Sequence, residues 1–205
     1  MLDGLLLLGA GGHARSCIEA IESAGLTIHG LIDGADLVGQ QVLGYLILGT
    51  DDDLPNLLEN NAAALVTVGQ IHSPDVRIRL YRRLAELGAV MPVIVARSAT
   101  VSRHANIGAG TIVMHGAIIN AAGSVGHNVI VNSHALVEHD AIIGDHCHIS
   151  TGAIVNGAAR IGEGSFIGSG VVIGHGVTIG ARCIIGAGHT VLKDCVKNTV
   201  MTKYL

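Results

Sequence analysis

From Val101 to Val191 every sixth residue is Ile or Val, sixteen β-branched positions without a slip of register. Four residues after most of them stands a small side chain, as at Ala105, Ala117, Ala135, Cys147, Ala153 and Ser165. A fixed six-residue period with one bulky and one small inward position is the pattern of a β-solenoid, in which each coil packs on its copies above and below. Glycine follows many of the bulky positions, as in Ile107-Gly108, Ile161-Gly162 and Ile179-Gly180, and is expected to supply corner dihedrals that other residues resist. The expected structure here is a parallel β-helix. Composition agrees with it: with 2% aromatic residues and no Trp, the core must be built from Ile, Val, Leu and Ala.

Residues 1–96 follow another rule. Leu5 to Leu8 is a short apolar run that stops at Gly9-Ala10-Gly11-Gly12, after which Ala14, Cys17, Ile18 and Ile21 recur at helical spacing up to Gly25. Ile28–Ile32, Tyr45–Leu48, Leu65–Val68 and Val90–Val95 read as further strands. Asp51–Glu59 and a segment opened by Ser73-Pro74 and closed by Gly88 read as helices. This alternation predicts a small, Rossmann-like parallel α/β domain over 1–96, followed by the coil over 97–205.

Gly9-x-Gly11-x-x-Ala14 falls where a strand meets a helix N-terminus, a position that favours an anion because free amides and the helix dipole point outward. Asp33, at the end of the next strand, is suited to accept hydrogen bonds from a ribose or base. A tight turn with no ligand is the plain alternative. About ninety residues give half of a dinucleotide fold, so a mononucleotide fits better than NAD.

Net charge is −4, which offers no electrostatic footprint for nucleic acid or an anionic membrane. No cationic leader and no bilayer-length apolar run is present, so a cytoplasmic location is expected. Cys17, Cys147, Cys183 and Cys195 lack metal-ligand spacing and read as reduced core thiols.

Twelve histidines are many for 205 residues, and position sorts them. Three flat sides of six residues close one coil of eighteen. On that arithmetic His139 stacks between Ala121 and Gly157, and Asp140 between Ala122 and Ala158. One imidazole and one carboxylate then project from a ledge otherwise stripped of side chains, where a thin ligand can lie beneath a base.

Gly9-Ala-Gly-Gly-His13-Ala14, Gly69-Gln70, Val131-Asn132 through Glu138-His139-Asp140, and Gly144-Asp145-His146-Cys147-His148 through Gly152 together resemble the sugar acyltransferases of the sialic acid O-acetyltransferase type. That family includes N-acetyltransferases of nucleotide-linked 4-amino sugars of the bacillosamine and perosamine type. The resemblance spans nearly the whole chain. It implies a left-handed β-helix, a homotrimer, and an acetyl-CoA site in the groove between adjacent β-helices, with no metal. By matching position, His139 resembles the general base and Asp140 the residue that orients it. Asn132 and His148 match polar residues of the acetyl and acceptor site, Gly157 a backbone donor near the thioester, and Ala187 a later CoA contact. His13, Asp33, Gly69 and Gln70, with the glycines at 9, 11 and 12, match the nucleotide-sugar side. One departure is plain: the family's terminal Gly-x-Pro-Ala-basic segment is absent, and Lys193, Lys197 or Lys203 is left to meet CoA.

Three other readings stand beside this one. The same constellation serves sugar O-acetylation. His134-x-x-x-x-His139 followed by Ile143-Gly144-Asp145 resembles the zinc stretch of γ-class carbonic anhydrases, although no Arg-Gly-Asp element accompanies it. A catalytically silent trimeric scaffold is the third.

Overall fold

The computed structural model describes residues 4–60 and 63–202. The N-terminal unit is built from β1 (Leu5–Leu8), α1 (Gly12–Ser23), β2 (Ile28–Ile32), β3 (Gln41–Val42), β4 (Tyr45–Gly49), α2 (Leu54–Asn60), β5 (Ala64–Val66) and α3 (Asp75–Glu86). Its sheet runs in the order β3-β4-β2-β1-β5 and is parallel except for the edge strand β3, which pairs antiparallel with β4. Leu5 to Leu8 are buried on both faces of the central strand, which is why β1 reads as a continuous apolar run. Leu5 and Leu7 pack with Cys17, Ile18 and Ile21 of α1; Leu6 and Leu8 pack with Leu54, Leu80 and Leu84 from α2 and α3. Each such fully buried Leu or Ile contributes about 1.5–3 kcal/mol of hydrophobic stabilisation.

The helix signals work as local chemistry requires. Thr50 and Asp53 form a reciprocal capping box before α2. The Ser73 hydroxyl accepts the Asp75 amide at the start of α3, and Gly25 turns the chain after α1 at φ +76°. No helix among the described residues is long and apolar enough to cross a membrane.

From Ile94 onward the chain winds into three parallel sheets of seven, six and five two-residue strands. Ile118 pairs with Leu136 and Leu136 with Ile154, so one coil is eighteen residues. The β-branched series points inward with Ala117, Ala135, Cys147 and Ala153 to make one continuous core. The last coil is shorter: Ile184 pairs with Val200 and Ile179 bridges to Cys195, sixteen residues on in each case.

Two expectations need correction. The strand expected at Val90–Val95 is split: Val90 makes only a bridge to Ala63, while Ile94–Val95 already pair with Ile112–Val113 in the coil. The glycines after the bulky positions also serve another purpose. Gly108, Gly126, Gly144, Gly162 and Gly180 stack in one column, and a Cβ on Gly108 would lie 2.6 Å from the Gly126 carbonyl carbon. Close approach of successive coils requires them. The left-handed corner dihedral sits instead two residues later, at Gly110, Gly116, Ala122, Asn128, His134 and Asp140 and onward through Gly188.

The α/β unit rests on the outer face of the seven-stranded sheet. Ile94, Ile112 and Ile130 on that face join the core of α1. Further along the same row come His148, Phe166, Ile184 and Val200.

Candidate active site

His139 and Asp140 occupy a corner between the six- and five-stranded sheets, following Leu136–Val137 and preceding Ile142–Ile143. The Asp140 amide donates to the Ala121 carbonyl, and the Ala158 amide to the His139 carbonyl, so the eighteen-residue stacking holds. Asp140 has φ +59°, a left-handed conformation that Asp tolerates better than most side chains. Its Oδ2 accepts Nδ1–H of His139 at 2.8 Å. That bond sets the tautomer and leaves Nε2 free to take a proton. The imidazole is raised above its ordinary pKa, first by the hydrogen bond to Asp140 and further by the nearby Asp140 and Glu138 charges. Glu138 is itself tied down, accepting from Asn120 Nδ2 and from the His139 amide.

Gly157 forms the floor beside the His139 imidazole. A Cβ there would lie 2.8 Å from both Cε1 and Nε2 of His139. The Gly157 amide has no hydrogen-bond partner among the described residues, which leaves one donor on a bare backbone ledge. Gly157→Ala is therefore expected to displace the His139 ring and cut turnover by about tenfold or more, since misplacing a catalytic group by an ångström costs up to about a hundredfold. Steady-state kinetics beside a melting curve checks this, with the melting temperature expected to stay near wild type.

A second group gathers where the α/β unit meets the coil. His148 donates from Nδ1 to the Gln70 carbonyl at 2.7 Å, and its Nε2 accepts from Asn132 Nδ2 at 3.1 Å. Burial lowers the His148 pKa to about 4, so the ring is neutral near pH 7. His13, at the start of α1, lies 6.2 Å from it ring to ring; burial first and the Arg77 charge second lower its pKa to about 3. The His13 Nε2 and the Gln70 Oε1 are buried without a partner among the described residues. Gly69 passes close to His13, where a Cβ would meet the His13 Cβ at 3.3 Å.

The glycine loop divides by role. Gly9 has φ +112°, and a Cβ there would meet the Val68 backbone nitrogen at 2.9 Å, so the turn itself needs glycine. Over Gly11 and Gly12 a Cβ would meet nothing within 4 Å, and no side chain caps α1. A cleft of about 310 Å³ opens beside the loop, lined by Gly9, Asp33, Gly34, Thr50, Asp51 and Arg79 among others. Asp33 already accepts from the Ala10 amide through Oδ2 and the Gly34 amide through Oδ1, so it first of all holds the loop. Ala187 lies elsewhere, in an apolar groove of about 570 Å³ with Ile71, Phe166, Ile184 and Val200.

The structure thus brings Asn132, His148, Gln70, Gly69 and His13 together, and separately His139, Asp140 and Gly157. It does not join the two groups within one chain. The His139 corner lies between two sheets of a three-sided coil, and His148 projects from the third sheet, on the far side. His134 also stands on a different corner from His139, packed over Gly116, so the two imidazoles share no site within one protomer. Lys193 and Lys197 are exposed at the open end; Lys203 falls outside the described residues.

Two residues of this region went unmarked as functional in the sequence. His175 stands one coil beyond Gly157 on the His139 corner, and the same eighteen-residue count applied twice leads to it. Arg77 is fully buried on α3, and its place on the Leu80–Leu84 apolar stripe was the available signal.

Comparison with known proteins bears on both halves. A family model for the PglD N-terminal domain matches residues 4–84, and one for the bacterial transferase hexapeptide, six repeats, matches residues 158–192. PerB from Caulobacter crescentus, solved in complex with CoA and GDP-perosamine, is similar at 33% identity and TM-score 0.90, over 98% of this chain and 94% of that one. The acetyltransferase domain of PglB from Neisseria gonorrhoeae FA1090, in complex with acetyl coenzyme A, is similar at 33% identity and TM-score 0.87, over 96% and 94%. WeeI from Acinetobacter baumannii AYE, at 22% identity and TM-score 0.83, shares the fold. No curated protein matches the chain significantly.

An α/β domain of this type joined to a hexapeptide coil defines a class of transferases built on a left-handed parallel β-helix. Within that class, the chain belongs to the sugar acyltransferase family that contains the perosamine and bacillosamine-type N-acetyltransferases.

Proposed function

We propose that this protein transfers an acetyl group from acetyl-CoA to the amine of a nucleotide-linked 4-amino sugar. The observation that carries the reading is the His139 imidazole, fixed by Asp140 through Nδ1–H, with Nε2 turned over the bare Gly157 backbone. Its setting is a chain similar along nearly its whole length to an enzyme solved with CoA and GDP-perosamine.

In this reading the sugar amine attacks the thioester carbonyl while His139 Nε2 takes its proton. Asp140 holds the ring and stabilises the imidazolium that forms, as a carboxylate does for a triad histidine. The free Gly157 amide donates to the developing oxyanion, a contribution of about 3 kcal/mol for a well-aimed donor. Transfer is direct. Cys147 is buried in the coil core, its thiol pushed up to about 12 by desolvation, and is no nucleophile at neutral pH.

The α/β domain holds the nucleotide part of the acceptor along the Gly9–Gly12 loop and the Asp33 cleft, with His13, Gly69 and Gln70 toward the sugar. Asn132 and His148 line the acetyl and acceptor side, and CoA runs on toward Ala187. Because the His139 corner and the His148 face lie on opposite sides of one coil, a complete site needs a second copy. A homotrimer with the sites between subunits supplies it.

The test is thiol release from acetyl-CoA in the presence of nucleotide-linked 4-amino sugars, followed across pH. The base must be neutral, so kcat/KM should fall as pH drops through the raised His139 pKa. In Asp140→Asn the chief cause of the raise is gone, so that acid limb should move to lower pH while kcat also drops. An acid limb unmoved by this substitution would contradict the assigned pair.

A further inference from the structure

Beyond Gly157 on the same corner stands a second imidazole that the mechanism so far leaves unused. His175 is exposed and has no hydrogen-bond partner among the described residues. The Gly176 amide donates to the Gly157 carbonyl at 3.0 Å, which locks the His175 corner directly onto the coil of Gly157. One point, the position a Cβ on Gly157 would take, lies 2.8 Å from His139 Nε2 and 3.2 Å from His175 Nδ1. The two nitrogens are therefore separated by no more than those two distances together. Both nitrogens therefore border one stretch of side-chain-free backbone, a slot floored by Gly157. Of this corner's residues from Ala121 to Lys193, only the one at the middle of the slot is glycine.

We infer that His175 is a further catalytic residue, donating an N–H hydrogen bond to the thioester sulfur as it departs. This rests on the reading of His139 as the base at the same slot. A tetrahedral intermediate carries the attacking nitrogen and the departing sulfur on one carbon. A base and a donor that both border this backbone can reach the two atoms from the same side at once. The new C–N bond forms as the amine proton passes to His139 Nε2. The C–S bond breaks with its electron pair going to sulfur, and the thiolate leaves hydrogen-bonded to His175 Nδ1–H. His175 keeps its proton. The proton held by the His139 imidazolium passes to solvent or to the thiolate, which restores the base and completes the thiol. Donors aimed at developing negative charge act most where charge grows during the step.

The test compares wild type, His175→Ala, His175→Gln and His139→Ala with a series of acetyl thioesters, from CoA itself to truncated alkyl and aryl thiols of increasing acidity. His175→Ala should lower kcat with acetyl-CoA by about tenfold or more, at an unchanged melting temperature because the residue is exposed. The deficit should shrink as the leaving thiol becomes more acidic and needs less help. His175→Gln, which keeps an N–H, should recover part of the rate. A deficit equal for every leaving group, or a higher KM for acetyl-CoA with kcat unchanged, would overturn the assignment and make His175 only a binding contact. If His139→Ala turns over normally, the base itself is misassigned and the inference falls with it. If His139→Ala collapses while His175→Ala is unaffected, only the inference fails.

Discussion

With His139 as the proposed base, His139→Ala is expected to lower kcat/KM for acetyl transfer by roughly a hundredfold to ten-thousandfold, the range for loss of a positioned general base. Stability should hardly move. The His139 side chain is 58% exposed, so truncating it opens no cavity, and surface substitutions of this kind stay within about 0.5 kcal/mol. Loss of rate without loss of fold is the signature that separates a base from a structural histidine. The effect should fall on kcat more than on the KM for either substrate, because the proton leaves the amine only as the transition state forms. His139→Gln should be nearly as poor: it keeps a polar group at the corner but offers no basic nitrogen. Steady-state kinetics at saturating acetyl-CoA, beside a thermal melt, measures both quantities.

The largest expected effect on stability belongs to Arg77. Its guanidinium is fully buried between the two halves of the molecule. Nη1 donates to the Val66 and Val68 carbonyls, and Nη2 to the Asn128 carbonyl and Oδ1, while Asn128 Nδ2 returns a bond to the Arg77 carbonyl and meets His146. Burial lowers its pKa to about 10, still charged at neutral pH, although none of its hydrogen bonds is to a carboxylate. Neutral oxygen dipoles from both domains take the place of a counter-ion. Arg77→Met removes the charge and keeps much of the volume, but it leaves carbonyls and the Asn128 amide oxygen buried without donors. Each orphaned group costs about 1–3 kcal/mol, so several left together cost about 3–5 kcal/mol. A destabilisation of about 3–5 kcal/mol by denaturant titration is expected for Met, and more for Ala, which adds a cavity. Lys restores the charge but not the two-armed reach to Val68 and Asn128, so it should rescue little. A change below about 1 kcal/mol in all three would show that the seam relaxes without Arg77.

Much of this is legible in the sequence alone, because a solenoid turns long-range contacts into arithmetic. Eighteen residues per coil follow from three six-residue sides, and the stacking of His139 over Gly157 follows from that count. The α/β half is read from local chemistry: Leu5–Leu8 and Gly25 behave as their residue types require, while Pro74 rather than Ser73 is the N-cap of α3 and Ser73 meets the Asp75 amide from one residue earlier. What stayed hidden depends on spacing between chains of atoms that no sequence period encodes. Ile94–Val95 look like any sheet strand, and only the docking of the two halves decides that they pair with Ile112–Val113. The glycine column at 108, 126 and 144 answers the closeness of stacked coils, whereas the left-handed corners fall elsewhere and even accept Asp140. The sequence places Asp33 within reach of a ribose, whereas its oxygens first satisfy the amides of Ala10 and Gly34. The separation of His139 from His148 is a property of the coil's cross-section, and it is what makes a second copy necessary in the proposed mechanism.

Acetylation of an amine on a nucleotide-linked sugar is the proposed reaction. It is tested most directly with two acceptors identical except at C4, one carrying an amine and the other a hydroxyl, each incubated with acetyl-CoA and the protein. Thiol release is expected with the 4-amino sugar, together with a product one acetyl group heavier that survives mild alkaline treatment, as an amide does. Release only with the hydroxyl sugar, giving an alkali-labile ester, or no release with either acceptor on any nucleotide carrier, would contradict it.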